Sequence, residues 1–132
     1  MPKGPVPAAY QDILESTTYG HLATVGDNGQ PEVNPVWFLW DGEHILLGVR
    51  AATRKYRNLR RDPRLAISFL DPVDPIRYLE VRGEVIDFER YDDLTFVNQL
   101  SRKYTGGDYD RAVPEERYKL TVRIDGWTGQ EG

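Results

Sequence analysis

The residues with the clearest chemical potential lie in Arg50-Ala-Ala-Thr-Arg-Lys-Tyr-Arg-Asn-Leu-Arg-Arg-Asp-Pro-Arg64. Arg50, Arg54, Lys55, Arg57, Arg60, Arg61 and Arg64 set seven positive charges against Asp62 alone, inside a chain of net charge -4. A basic island in an acidic chain is the pattern of a specific anion site rather than of general attraction to a polyanion. Thr53 reads as the N-cap of a helix from Arg54 to Arg61, with its hydroxyl and the first free N–H groups aimed where the helix dipole favours negative charge. Arg54 adds a planar fork and Lys55 a point charge. Cations in a first turn oppose the dipole, and a bound anion relieves that conflict. Arg60, Arg61 and Arg64 lie near the helix end, where carbonyls account for them. At about 100° per residue, Tyr56 and Leu59 share one side and Arg54, Arg57, Asn58 and Arg61 the other. The aromatic side is expected to pack inward and the polar side to stay free, with a local backbone contact the alternative for Asn58.

Other chemistries are sparse. With no cysteine, disulfides, zinc-thiolate sites and thiol nucleophiles are excluded. His21 and His44 are the only histidines, and each sits beside an expected turn or helix end, which gives a structural reading. Asp92-Asp93 and Glu115-Glu116 are neighbours in sequence and read as solvated faces, so no catalytic side chain and no metal site is assigned. Trp37, Phe38 and Trp40 could wall a planar ligand; strand alternation puts Trp37 on the opposite face from Phe38, and Trp37 is assigned to the site. Met1 to Pro7 lacks an apolar run, and no run approaches the ~20 residues needed to span a bilayer. The chain is expected to be cytoplasmic, without a membrane partner. Its acidity, and the lack of an RNA-binding or helix-turn-helix pattern, argue against nucleic acid.

These residues need a scaffold. The pattern predicts a helix from Ala8 to Thr18 ended by Gly20, a strand His21–Val25, a hairpin turn at Asp27-Asn28-Gly29 and a strand Gln30–Trp40. After a turn at Asp41-Gly42, a strand His44–Arg50 enters the basic helix, which Pro63 stops. Then come a strand Leu65–Leu70, a proline loop Asp71–Pro75, a strand Tyr78–Phe88 with a bulge at Gly83, and a helix Tyr91–Tyr104. A polar loop Thr105–Pro114, either lid or connection, and a strand Arg117–Ile124 complete the chain. About six antiparallel strands with short connecting helices predict a mostly β (β+α), single-domain barrel, closed or nearly so, spanning residues 1–132.

The succession Gly-His-Leu-Ala-Thr, Pro-Glu-Val-Asn-Pro-Val-Trp-Phe, Thr-Arg-Lys-Tyr-Arg-Asn-Leu-Arg-Arg-Asp-Pro-Arg and Leu-Glu-Val-Arg-Gly-Glu-Val resembles the pyridoxamine 5′-phosphate oxidase-like superfamily over roughly residues 10–125. More narrowly, it resembles the branch of deazaflavin-dependent reductases that use coenzyme F420. The resemblance implies an FMN-binding-like split β-barrel and a homodimer with the cofactor site at the subunit interface. It places the cofactor phosphate on Arg54 and Lys55, assisted by Thr53 and Asn58, and the ring along Asn34, Pro35, Val36 and Trp37. Val49 and Arg50 would flank the ring, and the strand containing Tyr78 would close the partner's site. Hydride transfer to a conjugated small-molecule acceptor is the implied reaction. FMN is the alternative cofactor, for an oxidase or flavin reductase on the same barrel, and a non-catalytic anion-binding module is a third reading. The longer anionic tail of the deazaflavin fits the additional cations Arg50, Arg57 and Arg61. The stretch after Ile124 does not match the basic, substrate-binding C-terminal segment of the true oxidases, which points away from vitamin chemistry.

Overall fold

The computed structural model describes residues 3–109 and 115–130. Three helices and seven strands follow in the order α1 Ala8–Glu15, β1 Gly20–Val25, β2 Pro31–Val36, β3 Phe38–Trp40, β4 Ile45–Arg50, α2 Arg54–Arg61, β5 Arg64–Leu70, β6 Tyr78–Tyr91, α3 Thr95–Thr105 and β7 Arg117–Gln130. All pairings are antiparallel, in one sheet ordered β2-β1-β5-β6-β7-β4-β3.

The expected strand from Gln30 to Trp40 is in fact two, which raises the count from six to seven. Up to Val36 the chain pairs with β1, and from Phe38 it pairs with β4. Trp37 alone separates the two edge strands of the sheet, so the sheet curls until its edges meet at that residue. The result is a split barrel whose ladder of hydrogen bonds is not closed. Pro31 and Pro35 are tolerated because β2 is an edge. Val36 and Phe38 point inward, and Trp37 between them points outward.

Two apolar clusters result. Leu22, Phe38, Leu47, Ile67, Phe69, Leu79 and Leu120 fill the barrel, joined by Ile13 and Leu14 of α1 and Leu59 of α2. Burying such a side chain contributes about 1.5–3 kcal/mol. On the outer face, Phe96, Val97 and Leu100 of α3 pack with Tyr91, Trp37, Leu39 and Leu46.

Several boundaries differ from the sequence reading for local reasons. Helix α1 stops at Glu15, where the Ser16 hydroxyl donates to the Ile13 carbonyl at 2.7 Å, and Gly20 opens β1 instead of capping a helix. The bulge at Gly83 is present as a register shift, and a side chain there would collide with the Arg123 carbonyl oxygen. A second shift lies between Val85 and Asp87. Strands β6 and β7 are longer than expected because they pair from Tyr78 with Gln130 to Tyr91 with Arg117. Helix α3 starts only at Thr95, whose N–H donates to Asp93 Oδ1 at 3.0 Å, so Tyr91 is the end of a strand and not helical. Part of the expected loop Thr105–Pro114, residues 110–114, lies outside the described residues. Among the described residues no helix is long and apolar enough to cross a membrane, and no group of three or more acidic or imidazole side chains could hold a metal.

Candidate functional site

Helix α2 carries the basic residues, and its packing decides where they point. Leu59 is fully buried, and Tyr56 stacks on Tyr118 with centroids 4.9 Å apart. Arg60 lies over the Phe88 ring at 4.1 Å while its Nε donates to Tyr56 Oη at 2.9 Å. Thr53 is the N-cap, accepting from the Tyr56 N–H at 3.4 Å and donating to the Arg50 carbonyl at 2.7 Å, so its hydroxyl is engaged locally on both sides. Asn58 departs from the expected free polar side. It is 2% exposed, donates to Thr24 Oγ1 at 3.1 Å and accepts from Arg61 at 3.2 Å, which ties α2 to β1. Arg61 also donates to the Val25 carbonyl at 2.7 Å. Arg64 holds Asp62 at 2.7 Å, and that hydrogen-bonded pairing keeps the Asp62 carboxyl at about 2.

Two cavities flank the first turn of α2. The larger, about 750 Å³, is lined by Arg54, Arg57, Asn58 and Arg61 on one side and Gln30 and Glu32 on the other. Among the described residues Arg57 and Arg61 make no ion pair, and Arg54 meets Glu32 only at 3.8 Å. The smaller, about 260 Å³, lies on the outer face of the sheet between Trp37, Gly48, Lys55, Tyr91 and Arg117, with Leu100 behind. Lys55 is half-buried and donates to Asn34 Oδ1 at 3.4 Å, with no ion pair among the described residues. Burial, followed by repulsion from Arg50, lowers its pKa. The residues Arg54 and Lys55, expected to grip one phosphate together, line different cavities because one helical step turns the side chain by about 100°.

The remaining expected site residues divide in the same way. Pro35, Val36 and Trp37 line the smaller cavity, and Asn34 reaches it through Lys55. Val49 is 2% exposed with its side chain in the core, so a ligand could meet only its backbone. Arg50 is exposed and pairs with Glu115 at 3.4 Å. Tyr78, at the start of β6 opposite Leu70 and Gln130, lines neither cavity.

Behind Trp37 lies a support missed in the sequence. Tyr104 stacks on the indole with centroids 5.1 Å apart and planes at 11°, while its hydroxyl donates to the Thr18 carbonyl at 2.8 Å and accepts from the Phe38 N–H at 3.3 Å. Burial pushes its pKa up to about 12. Lys103 Nζ sits 3.6 Å from the Phe38 centroid and donates to the Phe38 carbonyl at 2.8 Å, and burial lowers its pKa to about 8. The helical spacing of Leu100 and Tyr104 was a readable signal for a packed face, but not for its partner Trp37.

A family model described as pyridoxamine 5′-phosphate oxidase matches residues 6–129. The chain belongs to the pyridoxamine 5′-phosphate oxidase family. Within that fold, a solved structure named F420 reductase is 38% identical with a TM-score of 0.87, over 93% of this chain and 98% of its own. A conserved hypothetical protein of Mycobacterium tuberculosis is 25% identical with a TM-score of 0.72, over 98% and 86% of the two chains. General stress protein 26 of Bacillus anthracis, 17% identical with a TM-score of 0.66 over 90% and 88%, shows the fold alone. The family description and the name of the 38% identical structure are both those of oxidoreductases.

Proposed function

We propose that the protein is an oxidoreductase that binds coenzyme F420 across the two cavities beside α2 and reduces a conjugated small-molecule acceptor. The observation that carries this reading is Lys55. A half-buried ammonium with only an amide oxygen at 3.4 Å for a partner, beside the indole of Trp37, suits a phosphorylated planar cofactor. Arg54, Arg57 and Arg61 next door supply the cations that a longer anionic tail requires. Membership of the oxidase family and 38% identity to a structure named F420 reductase support the same reading.

When bound, the reduced deazaflavin supplies a hydride. The protein's own work is binding and orientation. Lys55, steadied by Asn34, holds the phosphate. Trp37, itself fixed by its stack on Tyr104, walls the ring, and Pro35 and Val36 exclude water beside it. Arg54, Arg57 and Arg61 attract the tail. In this reading a homodimer completes the site, the strand carrying Tyr78 closing the cavity of the other subunit. Val33, Val73 and Ile76 are 66%, 91% and 64% exposed, apolar surface that such an interface would cover. Sedimentation showing a monomer would remove the shared site.

Fluorescence titration with coenzyme F420 and FMN side by side, with Lys55→Ala as control, tests the cofactor. Tighter deazaflavin binding that weakens about tenfold or more in the variant is expected. Preference for FMN, the cofactor class named in the alternative oxidase reading, would replace F420 with a flavin on the same residues. Binding of neither would remove the enzyme reading.

A further inference from the structure

One face of β2 serves both cavities beside α2, and serves them differently. Alternation puts Glu32 and Asn34 on the same side of that strand. Asn34 offers Lys55 an amide oxygen at 3.4 Å, and Glu32 offers Arg54 a carboxylate at 3.8 Å. Lys55 thus meets a neutral group, while the larger cavity carries an anion of its own among its arginines. Glu32 is placed there by its neighbours. It stands opposite Thr24 in the β1–β2 ladder, and Thr24 accepts from Asn58, which in turn accepts from Arg61. Its Oε2 lies against the turn at Gly26, where a Cβ would come within 2.9 Å of that oxygen and of the Gln30 carbonyl oxygen, so the glycine leaves the carboxylate its place. The Glu32 side chain is 29% exposed, against 71% for Arg54. Asp27, the other carboxylate of the cavity, is exposed on the hairpin turn.

This geometry limits what the cavity can hold. Arg57 is anchored on the Ala52 carbonyl at 3.0 Å and Arg61 on the Val25 carbonyl at 2.7 Å, and each guanidinium carries more donors than these bonds use. Anionic groups are drawn to that wall. At 3.8 Å the contact between Arg54 and Glu32 lies beyond hydrogen-bond range, so the carboxylate keeps lone pairs for a donor. An anionic group on the β2 side meets Glu32 and is repelled; an N–H or O–H there is paired. We propose that Glu32 is the specificity-determining residue of the larger cavity. Its carboxylate accepts from an N–H or O–H of the ligand and rejects a ligand that is anionic along its whole length. The ligand class is a chain whose carboxylates or phosphates alternate with amide or hydroxyl groups. This rests on the reading of the larger cavity as an anion site, adds which anions it admits, and does not depend on the identity of the ring.

Calorimetric titration with tricarballylate and with N-acetyl-glutamylglutamate, above neutral pH where both are fully ionised, tests it. The two probes carry the same number of carboxylates, and only the dipeptide carries amide N–H groups. The wild type is expected to prefer the dipeptide. In Glu32→Gln, an isosteric change on a partly exposed edge strand, that preference falls about fivefold, because tricarballylate tightens and the dipeptide does not. Glu32→Asp, which keeps the charge, keeps the preference. Arg57→Gln weakens both probes. Equal affinities in the wild type, a preference unchanged in Glu32→Gln, or binding indifferent to Arg57→Gln overturns the proposal. Neither probe contains the cofactor ring, so this result stands or falls separately from the F420 titration.

Discussion

The two cavities on either side of α2 differ more than their adjacency suggests. One is about 750 Å³, open and lined by arginines whose guanidinium groups are held by backbone carbonyls, a side-chain amide or a distant carboxylate. The other is about 260 Å³, walled mostly by aromatic and apolar groups, with the half-buried Lys55 and Arg117 among its lining. The first offers charge that is exposed and screened; the second offers shape, and a cation whose desolvation makes each contact count for more. A ligand held by the first is held by charge number, and a ligand held by the second by fit. A cofactor with a planar head and an anionic tail would use both.

The sharpest way to break this comparison is to fill the small cavity. Gly48→Val places methyl groups among Leu100, Phe96 and Tyr91, and should abolish saturable deazaflavin binding while lowering stability by about 1–3 kcal/mol in urea unfolding. Binding of pyrophosphate to the arginine cavity should survive. Wild-type deazaflavin affinity in this variant would show that the ring lies elsewhere. Next in size, Asn58→Ala strips the partner from buried Thr24 Oγ1 and should cost about 1–3 kcal/mol, because the group left behind remains dry. Denaturant midpoints read that directly, and an unchanged midpoint would mean that α2 is held by Leu59, Tyr56, Arg60 and Arg61 without Asn58. Arg54→Ala should weaken the deazaflavin only severalfold, since its side chain is 71% exposed and loosely paired, against about tenfold or more for Lys55→Ala. Raising salt to about 0.5 M should narrow the advantage of F420 over FMN, as the exposed arginines are screened more than the half-buried lysine.

The smallest effect concerns the support behind Trp37. Burial lowers the Lys103 pKa from 10.5 to about 8, so between those values the unfolded chain binds more protons than the folded one. Stability therefore rises with pH across that window, by about 1 kcal/mol or less once solvent access is counted. Below pH 8 the penalty is constant. Comparing urea midpoints of the wild type and Lys103→Met from pH 7 to 10 isolates the contribution, and parallel pH profiles would refute it. Above pH 10, Tyr104 acts in the opposite sense, since its raised pKa means that the unfolded chain loses that proton first.

Strand and helix types were legible because alternation and helical spacing are local properties. The antiparallel barrel, the cap at Thr53 and the bulge at Gly83 all came from such signals. The break at Trp37 was not legible, because nothing in Gln30–Trp40 changes its alternation there; the partner strand changes instead. For the site, the sequence marked α2 and the strand before it as places where a ligand could be held. It did not show that Arg54 and Lys55 diverge, since both look alike until the packing of Leu59 and Tyr56 sets the rotation of the helix. Tyr91 was hidden by its assignment to a helix, although Asp93 before Thr95 was a readable start signal. Arg117 was seen only as a strand residue, because its pairing with Tyr91 spans two elements whose lengths depend on each other.

The one-residue joint at Trp37 also orders the assembly of the chain. The β1–β2 and β3–β4 ladders each close a short loop, so they form as local hairpins at little entropic cost. The joint then makes each hairpin a covalent extension of the other, and docking one on β5 carries the other toward β7. The costlier closures are the long-range ones, β5 on β1 and β7 on β4, and both meet hairpins that share the indole as their hinge.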